Sequence, residues 1–365
     1  MSRHPVKLSE ILSLAEHSGK IIKQVHYSGN YQATAKENIG FDDLFTIADT
    51  TVQKTIESNL KYFYPYAKII GEEDEVNLDK LKPTLMPDQI NKALIPERLV
   101  VDSFRQRLEQ LKSYSDTEHG NGYCHLEEEE ALNINQEDLT FWIDPLDGTR
   151  AFKNGKTDSV TSIIGVSVKG KPKIGILHQP FYKTIHGIKE SKTYLGSIET
   201  GVFYSDIKDY MDQRQLYEMK RSFHYLQPFQ PHVFGKHKDY EVKVLCSVNR
   251  FEHTQNVLDH MKPLVSMRLG GAGQKAIVML DEYADFFVHV VQGIKFWDMC
   301  ASEALIRGRF GIITNKDRQP IVYEENLQDY TILNGIMMAR SEAVYDLCMN
   351  RIEGVLKNMK ITRGR

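Results

Sequence analysis

The stretch WIDPLDGTR, residues 142–150, ends an apolar run with two carboxylates, Asp144 and Asp147, followed by a glycine and a threonine. Aspartates placed directly after a buried strand cost desolvation energy unless something positive meets them, so the pair points to a cation. Proline at position 145 is expected to preset a turn that lets both carboxylates and the Leu146 carbonyl point to one side as a hard, oxygen-rich surface. Gly148 and Thr149 then read as the start of a helix whose free amides favour a phosphate group. A plain Asp-Pro turn with an aspartate cap would look the same over so few residues, so other positions must decide.

Three others bear on it. On a helix expected over about 42–63, Asp49 lies in register with Phe45, Val52, Ile56, Leu60 and Phe63, so a carboxylate shares the buried stripe. Such a group must be protonated, hydrogen-bonded or close to a cation, unless it sits at the helix edge and reaches solvent. Glu72, in GEED (residues 71–74), stands at a strand end, the usual place for ligand groups in open sheets. Asp298, in KFWDMCASEAL, precedes a helical pattern and reads as either a helix cap or a ligand. Hard carboxylates at strand ends and helix starts, with no histidine or cysteine among them, favour magnesium or manganese over zinc, and magnesium works beside substrate phosphates. Phosphatases that form an aspartyl-phosphate use Asp-x-Asp after a strand. Here the spacing is Asp-x-x-Asp with a proline between, which favours two ligands and a metal-activated water over a covalent intermediate.

The elements that must hold these residues alternate along the chain. Helical periodicity covers Leu8 to Val25, AKIIG reads as a short strand into a glycine turn, and LTFWI as another ending at Asp144. SVTSIIGVSV and KIGILHQPF read as antiparallel strands joined at Lys169 to Pro172. Residues 74–138 look inserted, with a helix carrying Val100, Val101, Phe104, Leu108 and Leu111, and with a glutamate run, Glu127 to Glu130, that reads as a solvated face. From about residue 240, VKVLCSV, a helix through Val257 and Met261, VSMRL, a glycine turn with a helix through Ile277 and Leu280, and DFFVHVV follow as an α/β alternation. The expected division is an α+β metal-binding catalytic domain, residues 1–195, and an α/β substrate domain, residues 196–365.

The 365 residues exceed the size at which single cores stop growing, about 250 to 300, and 41% hydrophobic residues supply a large interior. A net charge of −3, from 46 basic and 49 acidic residues intermixed, gives no global field for a nucleic acid polymer. No apolar signal core and no apolar run of about 18 residues is seen, so the expectation is a cytosolic or nuclear protein without a membrane span. Four cysteines, Cys124, Cys246, Cys300 and Cys348, lie far apart and suggest neither disulfides nor a zinc site.

GEED, WIDPLDGTR and WDMCASEAL, in this order, resemble the lithium-sensitive, magnesium-dependent phosphomonoesterases related to inositol monophosphatase. Within them DGTRAFKNG, RLGGAGQKAIVML and ILNGIMMAR are most similar to the 3'(2'),5'-bisphosphate nucleotidases. The resemblance covers roughly 40–72, 140–190 and 244–340, and implies a layered αβαβα sandwich. It implies two or three magnesium ions held by Glu72, Asp144, the Leu146 carbonyl, Asp147 and Asp298. Asp49 and Thr149 would orient the attacking water, and the Gly148 and Thr149 amides would meet the scissile phosphate. Ser247, Gly271 and Lys275 fall in the pocket for the rest of the substrate.

The glycines 270–273 could cradle a phosphate or make a tight turn, and Lys275, one turn on, would be unfavourable at a helix start without an anion. Two positions depart from the nucleotidase pattern: Arg250, also assigned to substrate, stands where those enzymes carry histidine, and Gln274 where asparagine is common. Glu72 and Asp144 are 72 positions apart, a spacing closer to inositol polyphosphate 1-phosphatase. The expected activity is removal of the 3'-phosphate of adenosine 3',5'-bisphosphate. The competing readings are a 1-phosphatase acting on inositol 1,4-bisphosphate or 1,3,4-trisphosphate, and an inactive phosphate sensor.

Overall fold

Apolar residues at Leu8, Ile11, Leu12, Ala15 and Ile22 recur at helical spacing and build helix α1 (Leu8–Ser28). The second helix, α2 (Ile47–Phe63), begins later than the pattern suggested, because Thr46 and Asp49 close a capping box across its first turn. The computed structural model describes residues 6–31, 34–35, 44–73, 78, 81–90, 95, 109, 134–183, 189–209, 219–229, 242–248, 252–263 and 265–362. The helix expected around 100–111, the glutamate run 127–130 and Cys124 lie outside them. The described part of the insertion packs over the two helices: the Asn59 side chain donates to Leu85 O at 2.8 Å, and Ile95 N donates to Ser9 Oγ at 3.1 Å.

A short antiparallel pair, β1 (Thr34–Ala35) and β2 (Leu44–Phe45), precedes two larger sheets. The first has seven strands in chain order: β3 (Lys68–Gly71), β4 (Leu139–Asp147), β5 (Thr161–Val168), β6 (Lys171–Lys183), β7 (Lys189–Ser197), β8 (Gly201–Asp209) and β9 (Met219–Leu226). Strands β3 and β4 are parallel and the rest form an antiparallel meander. The hairpin expected at Lys169 turns on Lys169 and Gly170, both at positive φ.

The second sheet contains β10 (Lys243–Ser247), β11 (Val265–Leu269), β12 (Phe286–His289), β13 (Ile312–Thr314) and β14 (Ile336–Ala339), in the order β11-β10-β12-β14-β13. Helices α3 (Thr149–Lys153), α4 (Glu252–Met261), α5 (Ala272–Leu280), α6 (Phe296–Gly308) and α7 (Glu342–Lys357) are the remaining α-helices among the described residues.

Helices α1 and α2 cover one face of the seven-stranded sheet, burying Ile11, Val52 and Ile56 against Phe141 and Ile143. Helices α5 and α6 fill the space between the sheets, where Trp142, Ile163, Ile277, Leu305 and Phe287 meet. Outside the second sheet, α4 and α7 pack on Val244 and Val288 through Val257, Cys348 and Ile352. The result is the expected αβαβα sandwich.

The boundary expected near residue 195 falls inside β7, which is paired on both sides; among the described residues the chain passes from the first large sheet to the second between Leu226 and Lys243. Strands β7 and β8 bury neighbours on both faces, as Tyr194 and Leu195 or Val202 and Phe203 do, so the alternation that marks a half-exposed strand is lost. Cys246, Cys300 and Cys348 are free and buried. Among the described residues no helix is long and apolar enough to cross a membrane.

Candidate active site

Strand period places the acids. Ile70 pairs with Trp142, and both face the layer between the sheets. Two residues further along each strand come Glu72 and Asp144, on that same face and one step past the last paired residues, Gly71 and Ile143. Glu72 N donates to Ile143 O at 3.0 Å and prolongs the pairing, so two carboxylates are set side by side at the C-terminal ends of parallel strands.

Asp147 is three residues beyond Asp144, which in a regular strand would put it on the opposite face. The β4–β5 register shifts there: Asp144 pairs with Ile163 and Asp147 with Thr161, three steps on one strand against two on the other. The extra residue lies in the Pro145–Leu146 step, a bulge-like irregularity of the kind in which a proline is tolerated, and it returns Asp147 to the face of Asp144. This corrects the expected turn, since β4 runs on to Asp147 and the bulge does the aiming.

The second sheet's helices close the other side. Asp147 Oδ2 accepts from Thr161 Oγ1 at 3.0 Å and from Gly273 N, in the first turn of α5, at 2.8 Å. Gly271 makes that approach feasible: its φ is 64°, and a Cβ there would stand 2.9 Å from both Asp147 Oδ2 and Ser159 O. Asp298 is the third residue of α6, where its Oδ2 accepts from Lys295 N at 2.7 Å, so it caps the helix from inside instead of preceding it. Lys275 on α5 is 6% exposed and faces Asp147 and Asp298.

Asp144, 2% exposed, feels Glu72, Asp147 and Asp298 together. Burial first, and then the charges of Glu72, Asp147 and Asp298, push its carboxyl well above the usual range. Burial and the charges of Asp147 and Glu72 push Asp298 up to about 7, against the pull of Lys295 N and of a hydrogen bond with Asp144. Burial pulls the Lys275 ammonium down, opposed by Asp147 and Asp298.

Among the described residues, no three His, Cys, Asp or Glu side chains converge closely enough to hold a metal ion as they stand. The acids instead lean on backbone amides, on Thr161 and on one another. Mutually repelling carboxylates, answered by one buried lysine and offering only oxygen donors, nonetheless fit a small hard divalent cation.

Asp49, on α2, is fully buried, and Thr46 ties down its Oδ2 through N at 2.7 Å and Oγ1 at 2.5 Å. Its Oδ1 accepts from Thr149 Oγ1 at 3.2 Å, and the same hydroxyl lies 3.0 Å from the Leu146 carbonyl. Gly148, at φ 90°, turns the chain from β4 straight into α3, which is only five residues long.

On the second sheet, Ser247 and His289 end the parallel strands β10 and β12 in matched register and share a hydrogen bond of 3.1 Å between Oγ and Nδ1. Leu245 and Phe287, two residues earlier, face the inner layer, and so do they. His289 was not singled out from sequence, although the alternation of DFFVHVV carries the signal. Burial and Lys275 hold its imidazole down to about 3, so it is neutral, and its Nε2 makes no hydrogen bond among the described residues. Gln274 accepts from the Gln179 amide at 2.9 Å, and Arg250 lies outside the described residues. Glu72, Asp144, Asp147, Asp298 and Lys275 lie within electrostatic reach of one another at one end of the first sheet, Asp49 meets Thr149 beside Leu146, and Ser247 stands at a strand end of the second sheet.

Comparison with known proteins bears on this geometry. "3'(2'),5'-bisphosphate nucleotidase 1" of Rattus norvegicus is 27% identical over 318 residues, covering 87% of this chain and 85% of its own. "Inositol monophosphatase 3" of Xenopus tropicalis is 27% identical over 330 residues, covering 87% and 74%. The solved structure of the extragenic suppressor protein suhB from Bartonella henselae superposes with a TM-score of 0.58 over 95% of this chain and 97% of its own, at 15% identity, a likeness of fold. Residues 7–343, which span both sheets and every acid described above, match the inositol monophosphatase family, and the chain belongs to that family of phosphatases.

Proposed function

We propose that the chain is a magnesium-dependent phosphomonoesterase that removes the 3'-phosphate of adenosine 3',5'-bisphosphate. The observation that carries the reading is the gathering of Glu72, Asp144, Asp147 and Asp298 beside the hydrogen-bonded pair Asp49 and Thr149. Members of this family are generally Mg2+-dependent, and the oxygen-only donor set suits that ion. Glu72, Asp144, the Leu146 carbonyl, Asp147 and Asp298 would hold it. When bound, magnesium supplies charge neutralisation at the phosphoryl oxygens and makes water a stronger acid.

The protein's own groups do the rest. Thr46 fixes one oxygen of Asp49, so the other is aimed at Thr149. With its proton directed to Asp49, the Thr149 hydroxyl offers a lone pair to a water and orients it for in-line attack. Gly148 and Thr149 would offer their amides to the scissile phosphate. Lys275, Gly271, Ser247 and Arg250 serve the remainder of the substrate.

The similarity to nucleotidases favours the nucleotide; the spacing between Glu72 and Asp144 favours a second reading, inositol polyphosphate 1-phosphatase. Phosphate release measured in parallel on adenosine 3',5'-bisphosphate, inositol 1,4-bisphosphate and inositol 1,3,4-trisphosphate, with magnesium and with EDTA, separates them. Faster release from either inositol phosphate reverses the assignment, and binding without release makes the chain a sensor.

A further inference from the structure

Gln53 stands one turn after Asp49 on α2 and is 1% exposed. A buried primary amide needs partners for its oxygen and both its hydrogens. Its Oε1 accepts from Glu73 N at 2.8 Å, and its Nε2 donates to Glu73 O at 2.8 Å. The second hydrogen of Nε2 goes to Glu57 Oε1, also at 2.8 Å. One side chain therefore grips both backbone groups of a single residue, as a neighbouring strand would. The Glu57 carboxylate, itself 3.4 Å from Lys61 Nζ, can receive only a donor, which forces the amide into the one orientation that fits Glu73.

The gripped residue follows Glu72. On its other side Glu72 is held by the bond from its own N–H to Ile143 O. Both flanks of that backbone are thus pinned, and the carboxylate has only the inner face, beside Asp144, to occupy. The site is shaped for this side chain, because a Cβ on Gly71 would lie 2.3 Å from the Gln53 amide carbon. Asparagine is one methylene shorter, methionine has no donor and only a weak acceptor, and an ionised glutamate cannot donate to Glu73 O.

We infer that Gln53 is a positioning residue: by clamping the Glu73 backbone it sets the Glu72 carboxylate against Asp144, and with it the strength of divalent cation binding. The inference rests on the proposed role of Glu72 as an ion ligand. Groups that orient metal ligands typically change affinity by about 10- to 100-fold when lost.

The test uses the full chain and its Gln53→Met, Gln53→Glu and Gly71→Ala variants. Mn2+ binding without substrate is followed by electron paramagnetic resonance of the free ion, and the Mg2+ dependence of phosphate release is compared with substrate KM at saturating Mg2+. Gln53→Met and Gln53→Glu are expected to bind Mn2+ about 10- to 100-fold more weakly and to need correspondingly more Mg2+, with KM within twofold of wild type. Gly71→Ala displaces the same amide from the other side and gives the same weakening, so it decides the matter if the Gln53 variants fail to fold. Unchanged Mn2+ affinity in a folded variant overturns the inference, as does a loss of turnover that no Mg2+ concentration restores while Mn2+ affinity holds. A wild-type chain that neither binds Mn2+ nor releases phosphate overturns the metal reading itself, a result distinct from either.

Discussion

Replacing Asp298 by asparagine should stabilise the ion-free protein while destroying its metal site. Burial and the charges of Asp147 and Glu72 lift this carboxyl from its ordinary 3.8 to about 7. Between those values the folded protein keeps a proton that the unfolded chain has lost. Stability therefore declines as pH rises from about 4 to about 7, and the penalty is constant above. The gap sets an upper limit of about 4 kcal/mol, and solvent screening brings the expected figure to about 1 to 3 kcal/mol. The asparagine side chain loses the charge yet keeps an oxygen for the Lys295 N–H, so the helix cap survives.

For a chain of this length each kcal/mol moves Tm by about 1 °C. Differential scanning calorimetry in EDTA should show Asp298→Asn melting about 1 to 3 °C above wild type at pH 8 and level with it near pH 4. Saturating Mg2+ should erase or reverse the gap, since an ion at 100 times its Kd adds about 2.7 kcal/mol to the protein that binds it. A variant less stable than wild type at pH 8 in EDTA, or a gap that ignores pH, would refute the argument that burial and the neighbouring acids raise this carboxyl in the folded state.

Asp144→Asn should lower Mg2+-dependent phosphate release by about a thousandfold with an unchanged circular dichroism spectrum; near wild-type turnover would remove Asp144 from the ligand set. Thr149→Val removes the hydroxyl between Asp49 and Leu146 O and should reduce kcat by roughly 100- to 10,000-fold with little change in KM, whereas a change confined to KM would make Thr149 a binding group only. Gly271→Ala forces a Cβ to 2.9 Å from Asp147 Oδ2 at a positive φ, so urea unfolding should show a loss of about 1 to 3 kcal/mol, accompanied by weaker Mg2+ activation.

The elements that carry the acids were legible because each declares itself locally. The apolar run before Asp144, the helical period around Asp49 and the strand ending at Glu72 need no knowledge of their neighbours. Asp49 on the buried stripe was legible as an anomaly, and the structure resolves it with Thr46 and Thr149. What local reading misses is relational. A bulge exists only between two strands, so Pro145 looks like a turn until β5 is laid beside β4. The start of α6 is hidden because Lys295 at its N-cap position has no capping oxygen, which left Asp298 to be read one turn out of place. Gln53 looks like any polar helix residue, since its partner lies 20 positions away.

Four of the acids share one design, an oxygen fixed by the protein: Asp144 by Leu146 N, Asp147 by Thr161 and Gly273, Asp298 by Lys295 N and Asp49 by Thr46. Fixing one oxygen sets the direction of the other without neutralising the charge, and that is how a ligand set is organised before its ion arrives. Asp147 goes further, because its two donors come from the first sheet and from the helix leading out of the second. A shift of α5 against the seven-stranded sheet would break one of the two bonds that hold this carboxylate and carry Lys275 with the helix, so the direction of Asp147 depends on how that helix packs.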